Sequence, residues 1–170
     1  RQRPDVLGVL IGGTFAGAPW YERRLQARAR GVGAGRILMT GYMPAEEIRQ
    51  VRADFDVAIH VPISENCGGV VEPLLAMVPT IAGRVGGLPE VVIDGITGKL
   101  VPIRKPKELA RAVIDVLENE DYYRGLARVG CHLARIMVDV RRTAREVFDF
   151  YQHVLGKDES RPPEFDSASY

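Results

Sequence analysis

Cysteine is scarce in this sequence: its 170 residues include two, Cys67 and Cys131, which lie too far apart to form a CxxC motif. Two cysteines cannot supply the disulfide framework of a small secreted protein, and reduced thiols are the default in the cytosol. The sequence also has no apolar run of the roughly 18 residues that a membrane-spanning helix needs, and it has no signal-peptide pattern. We therefore expect a cytoplasmic protein.

An excess of charge of one sign is absent as well. Lys and Arg number 23 and Asp and Glu number 22, which leaves a net charge of +1. A nucleic-acid-binding domain is usually strongly basic, so we expect no nucleic-acid partner. Aromatic residues make up only 7%, but hydrophobic residues reach 46%, and a chain of this length can bury a core. The chain begins with Arg1 rather than methionine, and we expect it to be part of a longer polypeptide.

Short apolar runs alternate with longer amphipathic ones along the chain. The apolar runs predict strands over residues 6–11, 36–40, 55–61, 79–82 and 99–102. Helices are predicted over residues 20–30, 45–53, 71–77, 89–93, from 107 onward, over 122–136 and over 143–155. Strands that alternate with helices indicate an α/β fold with a doubly wound parallel sheet and helices on both faces. In that fold, ligands bind at the carboxyl ends of the strands.

The stretch over residues 64–77 (SENCGGVVEPLLAM) leads from the third predicted strand through a polar loop and a glycine pair into a helix. Proline belongs in the first turn of a helix, so Pro73 predicts a helix start near Gly69 or Val70. The unpaired N–H groups of a first helical turn suit a diphosphate, and glycine allows close approach of the backbone. The sequence therefore predicts an anion-binding turn at this strand end.

Two glutamates flank this turn. Glu65 precedes the helix and Glu72 is predicted in its first turn, so both can reach one cleft. Such residues also have an ordinary structural interpretation, because a first-turn glutamate favours the helix dipole and loop acids are usually solvated. His60 ends the preceding strand one turn from Glu65, where it can contact a ligand or lie as a partly buried strand end.

Three stretches resemble the retaining glycosyltransferases of family 4, which have the GT-B fold. Residues 72–82 (EPLLAMVPTIA) resemble the family's E-A-small-G-x-P-V-I-A stretch, and residues 86–101 resemble its GG-PE-V-DG-TG-LV segment. Upstream, residues 38–42 (LMTGY) resemble its V-x-F-x-G strand and loop. The resemblance implies that residues 1–155 are the nucleotide-sugar-binding domain, a Rossmann-like half of a GT-B architecture. Residues 156–170 contain two prolines, serines and acids, a composition that predicts a disordered tail.

The resemblance also assigns roles to individual residues. Glu65 resembles the family's first glutamate, which lies against the donor sugar and is the catalytic candidate. Glu72 resembles the second, which binds the ribose hydroxyls of the nucleotide. The backbone between them would hold the sugar and diphosphate, at Asn66, Cys67, Gly68, Gly69 and Val70. The nucleotide base would lie beside the loop after the second strand, at Gly41, Tyr42 and Met43. Six residues separate the two glutamates, one fewer than is usual in the family, so the shortening falls between Asn66 and Val71.

The implied function is transfer of a sugar, with retention, from a nucleotide-diphosphate sugar to an acceptor. The family's first strand and helix, with an Arg and a Lys that hold the diphosphate, have no counterpart here, and the acceptor would be bound by an N-terminal domain upstream. Peripheral contact of that missing half with the inner face of the membrane is left open. No metal or other cofactor is expected, because no DxD-type carboxylate cluster ends a strand.

Two alternatives remain at this point. A non-catalytic nucleotide-sugar-binding or interaction module of the same fold would lack the diphosphate-holding cations. A dinucleotide-dependent dehydrogenase would share the sheet type, but residues 12–17 (GGTFAG) do not have the G-x-G-x-x-G spacing.

Overall fold

The structure is a computed structural model that describes residue 3 and residues 5–13, 18–33, 35–65 and 68–157. The chain forms two compact units, Arg1–Val51 and Arg52–Tyr170. The strands pair in parallel within each unit and helices lie between them along the chain, so the predicted α/β fold is confirmed. Among the described residues, no helix is both long and apolar enough to cross a membrane.

The first unit contains one pair of parallel strands. Its elements in chain order are β1 (Gly8–Ile11), α1 (Pro19–Val32), β2 (Ile37–Gly41) and α2 (Ala45–Arg52), whose last residue belongs to the second unit. Leu10 of β1 lies opposite Met39 of β2. None of the described residues of this unit is buried, although both strands are mostly aliphatic.

Helix α1 differs from its predicted bounds at its C-terminal end. Gly31 was expected to end the helix, but it lies inside α1, which continues to Val32. Gly33 follows with a φ of 135°, a conformation that favours glycine and takes the chain out of the helix. The backbone angle at Gly33, rather than the first glycine of the run, therefore sets the end of the helix.

The second unit contains a three-stranded parallel sheet with the order β3-β4-β5. Its elements are β3 (Ala58–His60), α3 (Gly68–Leu75), β4 (Thr80–Gly83), α4 (Leu88–Val91), β5 (Lys99–Val101), α5 (Pro106–Glu118), α6 (Glu120–Met137) and α7 (Val140–Val154). The predicted tail over 156–170 falls almost entirely outside the described residues, so the domain boundary at residue 155 stays a prediction.

The central strand β4 supplies the core on both faces of this sheet. Successive side chains of a strand point to opposite faces. Ala82 and its neighbour Leu100 on β5 pack into a cluster formed with α3, α4 and α6. Ile81 and Val101 pack into a second cluster with α5 and α6. Helices therefore cover both faces of the sheet, which explains why its strands are apolar without alternation.

Candidate functional site

Helix α3 begins close to its predicted start, but two residues lie differently within it. Pro73 and Glu72 were expected in the first turn, whereas the helix starts at Gly68 and makes them its sixth and fifth residues. Pro73 has no N–H for the carbonyl of Gly69, a loss that a helix tolerates poorly in its interior. Here α3 ends two residues later, at Leu75, and Pro73 is itself buried in the core.

His60 connects the end of β3 to the first turn of α3. It pairs with Ala82 in the sheet, so its side chain points to the face that α3 covers. Its imidazole lies directly against Gly69, where a Cβ atom would overlap the ring. A glycine at position 69 is therefore required by the close approach of the helix to this histidine.

The side chain of Glu65 contacts His60, and its backbone lies close to Gly86. Nε2 of His60 lies 3.0 Å from Oε2 of Glu65, and both side chains are mostly buried, with 29% and 21% exposed. The backbone carbonyl of Glu65 lies against Gly86, which has a φ of 55° and has no room for a Cβ atom. The predicted catalytic glutamate thus has a side-chain partner in His60 and a backbone that leaves no room for a side chain at position 86.

Glu72 makes an ion pair with Arg52, whose guanidinium donates a hydrogen bond to Oε2. The Glu72 side chain is 62% exposed, whereas that of Arg52 is 16% exposed. Sequence reasoning did not find Arg52, because twenty residues separate the partners and no spacing rule connects them. The pair orients an accessible carboxylate on α3.

The remaining predicted residues divide into three groups. Gly68, Gly69 and Val70 form the first turn of α3, in which the two glycines are exposed and Val70 is fully buried. Asn66 and Cys67 lie outside the described residues. The three predicted base contacts belong to the first unit, where they end β2 and start the following loop: Gly41, Tyr42 and Met43.

The loop that carries the predicted base contacts has a defined backbone. Gly41 has a φ of 70°, and its carbonyl accepts a hydrogen bond of 3.0 Å from the N–H of Gly12. The ring of Tyr42 is 80% exposed. The loop therefore offers backbone groups and an aromatic side chain to solvent.

Hydrogen bonds within the segment after β4 hold the turn that leads to β5. Asp94 accepts hydrogen bonds from the N–H of Leu100 at 2.9 Å and from Arg84 at 3.0 Å. The hydroxyl of buried Thr97 accepts from the N–H of Ile93 and donates to the carbonyl of Val91. These bonds close the turn that returns the chain to β5. The side chains of Asp94 and Thr97, in the segment over residues 86–101, are therefore used to hold this turn. The described part of the chain holds no group of three His, Cys, Asp or Glu suited to a metal ion.

The family model for Glycosyl transferases group 1 matches residues 1–130. The chain therefore belongs to this family, as its resemblance to glycosyltransferases predicted. Two curated relatives support the assignment, and each is about one-third identical to this chain over the aligned part.

The GDP-mannose-dependent alpha-(1-6)-phosphatidylinositol monomannoside mannosyltransferase of Mycolicibacterium smegmatis is 32% identical over an alignment of 143 positions, which covers 79% of this chain and 36% of that protein. The 2-deoxystreptamine glucosyltransferase of Streptomyces kanamyceticus is 32% identical over 124 residues, or 72% of this chain and 32% of that protein. The chain thus spans about a third of the length of these relatives.

Solved structures have the same fold. Anabaena HepE, crystallised in complex with UDP and glucose, superposes with a TM-score of 0.80 and 25% identity over 88% of this chain and 41% of its own. The C-terminal domain of a group 1 glycosyl transferase from Francisella tularensis, LpcC, gives a TM-score of 0.71 at 20% identity over 79% of this chain and 70% of its own. At 20% identity, the likeness to LpcC shows only a shared fold.

Proposed function

We propose that this chain binds the nucleotide-diphosphate-sugar donor of a glycosyltransferase, and that the whole protein transfers the sugar to an acceptor with retention. Membership of the group 1 family and the likeness to HepE, which was crystallised with UDP and glucose, support the donor class. Because the relatives are about three times as long as the aligned segment, we assign the acceptor to a part of the polypeptide outside this chain.

One observation carries the proposal: a fixed carboxylate lies beside the glycine-rich start of a helix at the carboxyl end of a parallel strand. His60 contacts both Glu65 and Gly69, and Glu72 follows Gly69 by three residues, on the same side of α3. Ligands of doubly wound folds bind at this edge of the sheet. The helix N-terminus favours a diphosphate, and the two carboxylates accept hydrogen bonds from sugar hydroxyls.

In the proposed reaction, the first-turn N–H groups of α3 stabilise the negative charge that develops on the leaving nucleoside diphosphate. Glu72 binds the ribose hydroxyls, and Glu65 orients the transferred sugar so that the acceptor attacks from the side of the leaving group. Most of the rate enhancement comes from positioning and electrostatic stabilisation. The donor is the substrate, and the reaction uses no further cofactor.

Calorimetric titration of the full-length protein with UDP, GDP, ADP and NAD tests the donor site. We expect saturable binding of one nucleoside diphosphate, and we expect Glu72→Gln to weaken it about tenfold or more, because a hydrogen bond to a charged group is worth about 1.5–3 kcal/mol. Glu120→Gln is the matched control, since Glu120 is a similarly exposed helical glutamate paired with Arg124.

The outcomes separate the candidate functions. Binding of NAD alone, or binding that Glu72→Gln leaves unchanged, contradicts the proposed site. Tight binding of a nucleotide sugar without transfer to any acceptor, in a protein that is folded, favours the non-catalytic binding module.

A further inference from the structure

We infer that His60 is a positioning residue, which holds the carboxylate of Glu65 toward the donor sugar and thereby sets the preference for a nucleotide sugar over the bare nucleotide. This inference rests on the proposed function, because it deepens the role of Glu65 at the same site. His60 acts through Glu65 and makes no contact with the reacting atoms in this account.

The ring of His60 has little freedom to move. Its backbone is fixed by parallel pairing with β4, opposite Ala82. The first turn of α3 lies against the ring at Gly69, so closely that a Cβ atom there would overlap three of its atoms. A histidine held in this way presents Nε2 in one direction, and Glu65 lies in that direction, 3.0 Å away.

Glu65 needs such a partner because it lies in a loop. Its backbone carbonyl lies close to Gly86, but a glutamate side chain has three further rotatable bonds. The bond from His60 selects one orientation of the carboxylate before any ligand arrives. A carboxylate has about four acceptor positions, and the bond to His60 occupies one of them.

The bond between His60 and Glu65 affects the binding of a nucleotide sugar and of a bare nucleotide differently. Immobilising a rotamer-rich side chain on binding costs affinity, and prior fixation by His60 removes that cost for the ligand that contacts Glu65. A nucleoside diphosphate without the sugar does not reach Glu65 in the proposed complex. Loss of the His60 bond should therefore weaken binding of the nucleotide sugar about fivefold to tenfold and leave binding of the nucleotide nearly unchanged.

Two amide variants of the full-length protein test this inference. In His60→Gln the amide nitrogen reaches the position of Nε2 and keeps the bond to Glu65. In His60→Asn the amide is one methylene shorter and stops at the position of Nδ1. Dissociation constants are measured for UDP and UDP-glucose, and for GDP and GDP-mannose. We expect His60→Asn to lower the affinity for the sugar nucleotide alone, and His60→Gln to restore it to within about twofold of the wild type.

A double-mutant cycle with Glu65→Gln completes the test. If His60 acts through Glu65, adding His60→Asn to Glu65→Gln produces no further loss of sugar-nucleotide affinity. His132→Asn on the exposed side of α6 is the control for a histidine outside the site. A thermal unfolding transition measured for each variant tests whether that variant is folded.

The inference is overturned if His60→Asn weakens both ligands equally, if it weakens neither, or if both amide variants fail to fold, because His60 is then a structural requirement. The failure of the proposed function has a different signature. In that case the wild-type protein binds no nucleoside diphosphate, with or without an attached sugar.

Discussion

Gly86 and Gly95 have similar positive φ angles, 55° and 74°, but different surroundings. A Cβ atom at Gly86 would overlap the carbonyl oxygen of Glu65, whereas a Cβ atom at Gly95 would meet no atom within 4 Å. At Gly95, the cost of a non-glycine residue comes from the left-handed backbone conformation alone. At Gly86 the same strain is combined with displacement of the loop that carries Glu65.

We therefore expect Gly86→Ala to lower the free energy of unfolding by about 3 kcal/mol or more, and Gly95→Ala to lower it by about 1–2 kcal/mol. Urea denaturation of the two variants measures the difference. Equal losses at both positions would show that the contact with Glu65 has no energetic weight.

Residues of the site differ in how well the sequence predicts them. Glu65 and Glu72 are visible because acids near a glycine pair stand out in an apolar stretch. The ion pair of Glu72 with Arg52 and the packing of His60 on Gly69 are not visible, because each depends on how distant segments come together. The sequence thus predicts the candidate carboxylates of the site, but it does not predict the side chains that contact them.

At the scale of the elements, one polar cluster connects β5, α5 and α6. Nζ of Lys99 donates to Oδ2 of Asp115 at 2.6 Å and to the hydroxyl of Tyr123 at 2.9 Å, and that hydroxyl donates to Oδ2 of Asp115 at 2.6 Å. The hydrogen bonds from Lys99 and Tyr123 hold the pKa of Asp115 below its usual value. The bond to Asp115 raises the pKa of Lys99, and burial raises that of Tyr123.

A carboxyl group with a lowered pKa in the folded state stabilises the fold when it is ionised. We expect Asp115→Asn to cost about 1–2 kcal/mol near pH 7, a modest value because Asp115 is partly exposed. The difference from the wild type should shrink as the pH falls below about 4, because the unfolded wild-type chain then takes up a proton at Asp115 that the folded protein takes up only at a lower pH.

Urea denaturation between pH 3 and pH 8 measures this difference, and Asp149→Asn, at an exposed position on α7, is the control. A difference that stays constant down to pH 3 would show that the charge of Asp115 does not contribute.

The bounds of the elements show the limits of sequence patterns. The run over residues 55–61 predicts a strand, but β3 spans Ala58–His60, because its pairing partners on β4 extend only from Thr80 to Ala82. An apolar run indicates burial, whereas the partner strand sets the hydrogen-bonded length. Pro73 was misplaced for a related reason: the rule for proline assumes a long helix, and α3 ends two residues after it.

At the scale of the whole molecule, burial is concentrated in the second unit. Ile81 on β4 is fully buried, whereas Leu38 on β2, also an aliphatic strand residue, is about half exposed. The core clusters of buried residues consist of side chains from the second unit. The second unit therefore has the larger share of hydrophobic stabilisation.

We expect Ile81→Ala to cost about 3–4 kcal/mol and Leu38→Ala to cost less than about 1 kcal/mol in thermal or urea unfolding. Similar costs at the two positions would indicate that Leu38 is buried in the protein in solution.

The contact between α3 and α6 has a consequence for the chemistry of one thiol. Cys131 of α6 is buried, and its Sγ donates a hydrogen bond to the carbonyl of Leu75 at the end of α3. A thiol enclosed in this way does not react with alkylating reagents until the two helices separate. In a variant with Cys67 replaced by serine, the rate of Cys131 alkylation would therefore report how often α3, the helix that carries Glu72, separates from α6.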